Sequence, residues 1–331
     1  MSHMALFQFQ HVGIWLLVLL AAQFGAQPFL SKACIPPGVP KSSLVFGAEL
    51  IKLVCCLSIL LAEGRLRLVL RDWTFRSFLI SAGAPSLTYL VQNYCVQVAY
   101  EKLDGVVFNV LNQTKMLATA LFVYLIAGKG QSSIQCCALV LVSVSGALVS
   151  LGDSGSTARR PQDGELSTGL LAVCVGVALS GLGSGITEVV LRGRQRDNYL
   201  LSVEMASISC TLVILSMLFG FSPDYKRWRE TGLLAGWGPL TFIPVATQAF
   251  GGILVGQITK VSGSVRKSFA TICGLIFSCM LRSGITGEWP SLASSIAVPL
   301  AGISIYLHSR YPLPKGHVLR RFSMKEDTHQ E

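Results

Sequence analysis

The sequence predicts an all-α polytopic membrane protein, ten transmembrane helices arranged as two inverted repeats of five. Three observations carry this. Only 13% of the 331 residues are charged and 51% are hydrophobic, with a mean hydropathy of +0.57, whereas soluble domains carry roughly 25% charged residues. The apolar residues gather into runs of about 20, the length that crosses the hydrocarbon core of a bilayer. A polar, Gly/Ser-rich stretch from Gly152 to Glu165 divides those runs into five and five, and an odd number of spans per repeat sets the second repeat upside down relative to the first.

The first run, 11–31, has no basic flank before it and no small-residue cleavage site after it, so it reads as a retained span and not a signal peptide. Runs at 42–62 and 77–99 follow, separated by Arg65, Arg67, Arg71 and Arg76. A very short loop after Tyr100 leads into 105–127, making a tight hairpin, and 132–151 closes the first half. In the second half 167–191, 198–221 and 237–259 are followed by an equally short loop after Lys260, then by 265–281 and 289–308. The organisation expected is a repeat over 1–151, a linker over 152–166, a repeat over 167–308 and a tail over 309–331.

Ten spans put both termini on one side. Sixteen Lys and Arg residues fall in the extramembrane segments of that side and nine on the other, which points the termini to the cytosol by the positive-inside rule. The net charge of +10 is read the same way. No basic block carries interleaved aromatics, so nucleic acid is not the expected partner. Nearly all of the ten cysteines, including the pairs Cys55-Cys56 and Cys136-Cys137, sit within apolar runs, without zinc or disulfide spacing. DxD, HExxH and Walker A motifs are missing, so the sequence offers no cofactor, no metal and no enzyme chemistry. A carrier is favoured over a membrane enzyme of sugar-lipid metabolism or a non-transporting scaffold.

Charges inside spans mark function because each costs about 2.5 to 3.5 kcal/mol at the membrane centre unless paired or hydrated. Glu49 and Lys52 are three apart and can pair on one helix. Lys115 has no carboxylate at helical spacing, and Phe108, Asn112, Lys115, Thr119 and Phe122 fall on one face of a continuous helix. Aromatic, amide, ammonium and hydroxyl groups suit a ligand with a ring, hydroxyls and phosphate; the alternative is a structural pair with Glu188 or Glu204. Tyr89, Gln92, Asn93 and Gln97 form a second polar stripe on the third span. The Asn112-Gln113-Thr114 sequon lies at membrane depth and is dismissed, and Gly181, Gly183 and Gly185 read as close helix packing. The ninth span opens with Ser262-Gly263-Ser264 before Arg266 and Lys267, either an anion site at a helix N-terminus or a solvated basic loop.

From about Gln23 to Tyr311 the chain resembles the nucleotide-sugar transporters of the drug/metabolite transporter superfamily, in the branch for CMP-sialic acid, UDP-galactose and UDP-N-acetylglucosamine. The resemblance rests on Ala48-Glu49-Leu50-Ile51-Lys52, Tyr89 to Asn93, Phe108 to Phe122, Ser180-Gly181 followed by Glu188, and Gly251-Gly252 before Val265 to Ala270, including Ser268. It implies that Lys115 and Lys267 meet the substrate phosphates, that Phe108 stands where the family has a substrate-contacting Tyr, and that Asn93 and Glu49 line the cavity. Asn112 to Lys115 and Tyr199 to Met205, with Glu204, are most similar to plant-type carriers of UDP-N-acetylhexosamines. Ile186 and Glu204-Met205 depart from the sialate and galactose carriers. The expected partners are UDP- or CMP-sugars, UMP or CMP and the lipid bilayer, with a homodimer left open and the membrane that of the Golgi or endoplasmic reticulum. Alternating access is expected, with the two short hairpins at the gates.

Overall fold

The computed structural model describes residues 3–71, 73–152, 165–222 and 224–313. Every regular element among them is helical. Among the described residues nine helices are long and apolar enough to cross a membrane: α1 (His3–Cys34, apolar from Val12), α2 (Lys41–Ala62), the pair α6 (Gly105–Asn112) and α7 (Lys115–Ala127) taken as one, α8 (Ser133–Gly152), α9 (Glu165–Glu188), α10 (Asn198–Leu218), α12 (Phe242–Ser262), α13 (Ser264–Thr286) and α14 (Leu292–Arg310). Short helices α3 (Leu66–Arg71) and α11 (Tyr225–Thr231) lie in connections.

The segment expected to be the third span, 77–99, is helical but too polar to count as a membrane span by composition. It runs from α4 (Phe75–Phe78) through a π-helical turn (Leu79–Gly83) into α5 (Ala84–Lys102). Its Ser81, Ser86, Thr88, Tyr89, Gln92, Asn93 and Gln97 lower its hydropathy. The π turn precedes Pro85, which has no N–H to give the preceding turn, so the wider turn absorbs the missing donor.

Three boundaries differ from the sequence reading. The fourth span is not continuous: α6 ends at Asn112, tight i→i+3 bonds follow (Gln113 N–H to Val110 O, Thr114 N–H to Leu111 O), and α7 begins afresh at Lys115. The ninth span continues past 281 to Thr286, so Arg282 belongs to the helix and not to a loop. The expected linker begins and ends inside helices, since Gly152 closes α8 and Glu165 opens α9; residues 153–164, with Arg159 and Arg160, lie outside the described residues, as does the tail from 314, with Lys315, Arg320, Arg321 and Lys325.

Packing pairs the two halves. Helix α9 packs on α5 and α7, α1 packs on α12 and α13, α2 lies against α10 and α8 against α14. The seams with α9 are close because of its glycines. A Cβ at Gly181 would sit 2.6 Å from the Ala118 backbone and 2.9 Å from the Phe122 ring, and one at Gly183 would meet Tyr89 at 3.1 Å. The glycine cluster is therefore a packing surface, as its sequence suggested. Ser145 Oγ donates to Ala297 O at 2.8 Å across the α8–α14 seam.

Contacts also define the faces of the bundle. Gly13 near the start of α1 approaches Ser262, Ser132 Oγ donates to Tyr311 O just after α14, and the α7–α8 and α12–α13 connections meet between them. We call this the terminal face. The ends of α1 and α13 and the α5–α6 hairpin lie on the opposite face.

Gly181→Leu should lower the thermal midpoint in detergent by the several degrees that an overpacking cost of about 1–3 kcal/mol produces, whereas Gly284→Ala, with open space around the added methyl, should not. Wild-type stability of Gly181→Leu would contradict the close α7–α9 seam.

Candidate functional site

A cavity of about 1630 Å³ runs down the interior between α1, α5, α6–α7, α9 and α13. Its floor, toward the terminal face, carries Lys115, Thr119, Ser184, Lys267 and Ser268; its mouth carries Lys32, Ala33, Asp104, Arg282 and Thr286 at the opposite face. That volume exceeds the few hundred to 1,000 Å³ typical of small-molecule sites.

Helices α6 and α7 build one wall. The face of α6 and α7 that lines the cavity carries Asn109, Asn112, Gln113, Lys115, Met116 and Thr119, centred one residue round from the stripe that starts at Phe108. Phe108 points away, fully buried among Ala99, Leu103 and Val173. Phe108, implied by the resemblance to meet substrate, therefore does not line the cavity: it sits past the edge of the face centred on Asn109 and Asn112 and packs against α5 and α9. The restart also sets the positive end of the α7 dipole beside Lys115 at mid-bundle, the arrangement by which discontinuous membrane helices attract anions.

Facing α6, helix α5 contributes Tyr89, Gln92 and Asn93. Gln92 Oε1 is buried with no hydrogen-bond partner among the described residues. Buried amides are ordinarily satisfied, so this oxygen is a free acceptor at a wall that is otherwise complete. Lys267, Ser268 and Thr271 come from the first turns of α13.

Neither Lys115 nor Lys267 has a carboxylate or hydrogen-bond partner among the described residues. The carboxylates that could have paired with Lys115 are committed elsewhere. Glu188 is 2% exposed and accepts from Lys129 Nζ at 2.9 Å, Arg192 Nη1 at 3.3 Å and the Ser264 N–H at 2.8 Å. Glu204, also buried, accepts from Arg196 Nε at 3.0 Å on Oε2 and from Trp73 Nε1 at 2.8 Å on Oε1, which it shares with Arg196 Nη2. The structural-pair alternative for Lys115 is therefore set aside.

Several expected site residues are not brought to the cavity. Lys52 Nζ donates to Glu49 at 2.8 Å on α2, and its chain lies over Gly252, where a Cβ would come within 3.1 Å of Lys52 Cδ. Gly251 makes the same kind of room for Gln23, at 2.5 Å. Both glycines seat side chains across the α12 seams, and Glu49 and Lys52 form a lateral pair between α2, α10 and α12. The anion site expected at the α13 N-terminus exists but is filled from within, by Glu188. Gly263 is obligatory there: its φ is +89° and a Cβ would strike Arg192 Nη1 at 2.7 Å and Glu188 Oε1 at 3.1 Å.

Sequence reasoning missed Asn109, Phe24, Phe29, Ser180, Ser184 and Thr271. Ser180 and Asn109 lie in stretches that carry the family resemblance, but no charge or spacing flags any of these six as lining; the packing of α1, α6, α9 and α13 brings them to the wall.

A model of the family described as "Nucleotide-sugar transporter" matches residues 7–309. The chain belongs to that family. It is a family of transporters and not of enzymes. Over 297 residues the chain is 34% identical to the UDP-N-acetylglucosamine transporter ROCK1 of Arabidopsis thaliana, covering 89% of this chain and 91% of that one. The UDP-galactose translocator of Mus musculus is 28% identical, with 84% and 71% covered, and the human UDP-N-acetylglucosamine transporter is 24% identical, with 85% and 88% covered. A solved crystal structure aligns over 92% of this chain and 97% of its own at a TM-score of 0.68 and 14% identity, a likeness of fold alone. A nucleotide-sugar transporter needs a cationic, water-accessible chamber wide enough for base, ribose, phosphates and sugar, and the chamber described here has those properties.

Removing Lys115 leaves bound phosphate charge without its counter-charge, so Lys115→Ala should weaken nucleotide-sugar binding by about 2–5 kcal/mol on monodisperse protein. Lys267→Ala should cost a comparable amount, because Glu188 already occupies the α13 N-terminal amide that would otherwise share the load. Titration calorimetry checks both; tight binding by either variant removes that lysine from the phosphate site.

Proposed function

We propose that the chain exchanges a cytosolic UDP-sugar, UDP-N-acetylglucosamine or UDP-N-acetylgalactosamine, for a lumenal nucleoside monophosphate across the Golgi or endoplasmic reticulum membrane. The single observation behind this is the pair of unpartnered lysines on the floor of one large polar cavity. A nucleotide sugar bears about two negative charges and cannot cross hydrocarbon unaided. The monophosphate left after sugar transfer carries similar charge, so one cavity serves both. The substrate choice draws on the relatives named above, in which UDP-N-acetylglucosamine recurs. The galactose translocators among them make UDP-galactose the alternative, with CMP-sialic acid a further one from the sequence resemblance.

The architecture behind exchange is ten spans in two inverted repeats, 1–151 and 167–308, with the helix from Phe75 to Lys102 as the third. Its polarity fits a span that faces the chamber and not lipid. Support comes from the packing: exchanging each span with the one five later carries α5–α9 onto α12–α1 and α7–α9 onto α13–α1, while α2–α10 and α8–α14 map onto themselves. The hairpins at Leu103 and Gly263 correspond under the same exchange and lie on opposite faces, as inversion requires. With the termini in the cytosol, the cavity mouth is lumenal. The two halves then rock about the central site so that it opens to one side at a time.

Liposomes preloaded with UMP should take up labelled UDP-N-acetylglucosamine many-fold faster than empty ones, and equal uptake would sink the exchange reading. Tags at both termini should be reached when only the plasma membrane is permeabilised, while a tag at Ser156 should not. Finding the two end tags on opposite sides would remove a span and the repeat with it.

A further inference from the structure

Glu188 holds a place that a substrate phosphate would fit. Its carboxylate sits on the first turn of α13, accepting from the Ser264 N–H, and is neutralised by Lys129 from the α7–α8 connection and Arg192 one turn further along its own helix. Ser264 Oγ ties the same turn to Ser184 O at 3.0 Å. The contacts join three elements that would have to separate for the chamber to open on the terminal face: the α7–α8 connection, the end of α9, and the α12–α13 hairpin. Beside them lies a cavity of about 300 Å³ lined by Lys129, Gln131, Glu188, Arg192, Arg266 and His308. Three cations face one carboxylate there, so the pocket keeps a surplus of positive charge even with Glu188 seated. It lies on the other side of the latch from Ser184, which is on the wall of the main chamber.

We infer that Glu188 is a built-in stand-in for substrate phosphate, a latch that closes the terminal face of the empty carrier and is released when a phosphate-bearing anion arriving from that face competes for Lys129, Arg192 and the Ser264 amide. The inference rests on the transport reading above. Its logic is that of exchanged partners. A backbone N–H at a helix N-terminus with two flanking cations binds carboxylate and phosphate alike, so an arriving phosphate offers the same contacts while leaving the carboxylate free to swing out. The Glu188 side chain cannot remain unpaired where it is, since an isolated buried charge is costly, so loss of its cations and opening of the latch are one event. Gly263 lets the latch seat closely, since any side chain at that position would collide with Arg192 and Glu188, and the cavity beside it gives an arriving anion access to the same cations. An empty carrier thus stays closed on this face, and a cytosolic anion supplies its own key.

Hydrogen–deuterium exchange on the purified full-length protein tests this, reading peptides that cover 127–133 and 260–266 against the buried α8 stretch 138–146. Glu188→Gln should speed exchange at the first two roughly tenfold, the effect of losing one charged hydrogen-bond set on a local opening equilibrium, and leave 138–146 unchanged. If exchange rises everywhere in Glu188→Gln, Lys129→Gln, which alters only a half-exposed loop cation, decides: faster exchange confined to the latch supports the proposal, and wild-type exchange there overturns it. Saturating UMP should speed latch exchange in the wild type and add nothing in Glu188→Gln. UMP that binds by thermal shift yet slows or leaves unchanged the wild-type latch overturns the competition. UMP and UDP-N-acetylglucosamine that give no thermal shift at all would instead overturn the transport reading, while the response to Glu188→Gln alone would still judge the latch.

Discussion

A charge inside hydrocarbon must be paired, hydrated or removed, and the way this chain meets that constraint organises the whole bundle. Its three intramembrane carboxylates are each matched within the protein: Glu49 with Lys52 on one helix, Glu204 with Arg196 and Trp73 between halves, Glu188 with Lys129, Arg192 and the amide of Ser264. With those three acids committed, Lys115 and Lys267 are left facing one chamber. That surplus of positive charge on the chamber floor is what suits the interior to an anionic ligand.

The same pairings set where the molecule is closed. Glu188 and Glu204 both join the two halves near the terminal face, and the Arg65–Asp197 ion pair adds a third tie there. On the other face Ser42 donates to Asp224, at 2.8 Å from its hydroxyl, and Trp237 donates to Ser43 at 3.0 Å, but these tie α2 to the connections around α11 and leave the mouth between α1, α5–α6 and α13 open. Electrostatics thus links fold to function twice, once by leaving two lysines over and once by locking one end of the path that leads to them.

Much of this was legible in the sequence, and for physical reasons. Apolar runs give membrane helices because hydrocarbon leaves no other way to satisfy backbone groups, so the nine apolar helices among the described residues followed from hydropathy, while the run at 77–99 is helical but too polar to be counted with them. Lys115 stood out because a lone membrane lysine is costly, and Lys267 because it opens the ninth span beside Arg266 and matches the family pattern. What could not be read were the partners. Sequence spacing offered Glu188 or Glu204 to Lys115, but partners for those acids come from loops 59 and 131 residues away. The turn at 113–114 also left no local signature, with no Pro or Gly to mark it, and the polar stripe drawn from Phe108 was centred one residue away from the face that lines the cavity. Gly251 and Gly252 carry no chemistry of their own; their role as seats for Gln23 and Lys52 exists only once α1, α2 and α12 are packed.

The central claim is that the two unpaired lysines hold the substrate's phosphates. A cryo-electron microscopy structure with UDP-N-acetylglucosamine bound tests it most directly. The account predicts the diphosphate between Lys115 and Lys267, with Nζ-to-oxygen distances of about 2.7–2.9 Å to each and the sugar and base along the amide wall of α5 and α6. Density for the diphosphate at the Glu49–Lys52 pair, or anywhere out of reach of both lysines, would contradict it.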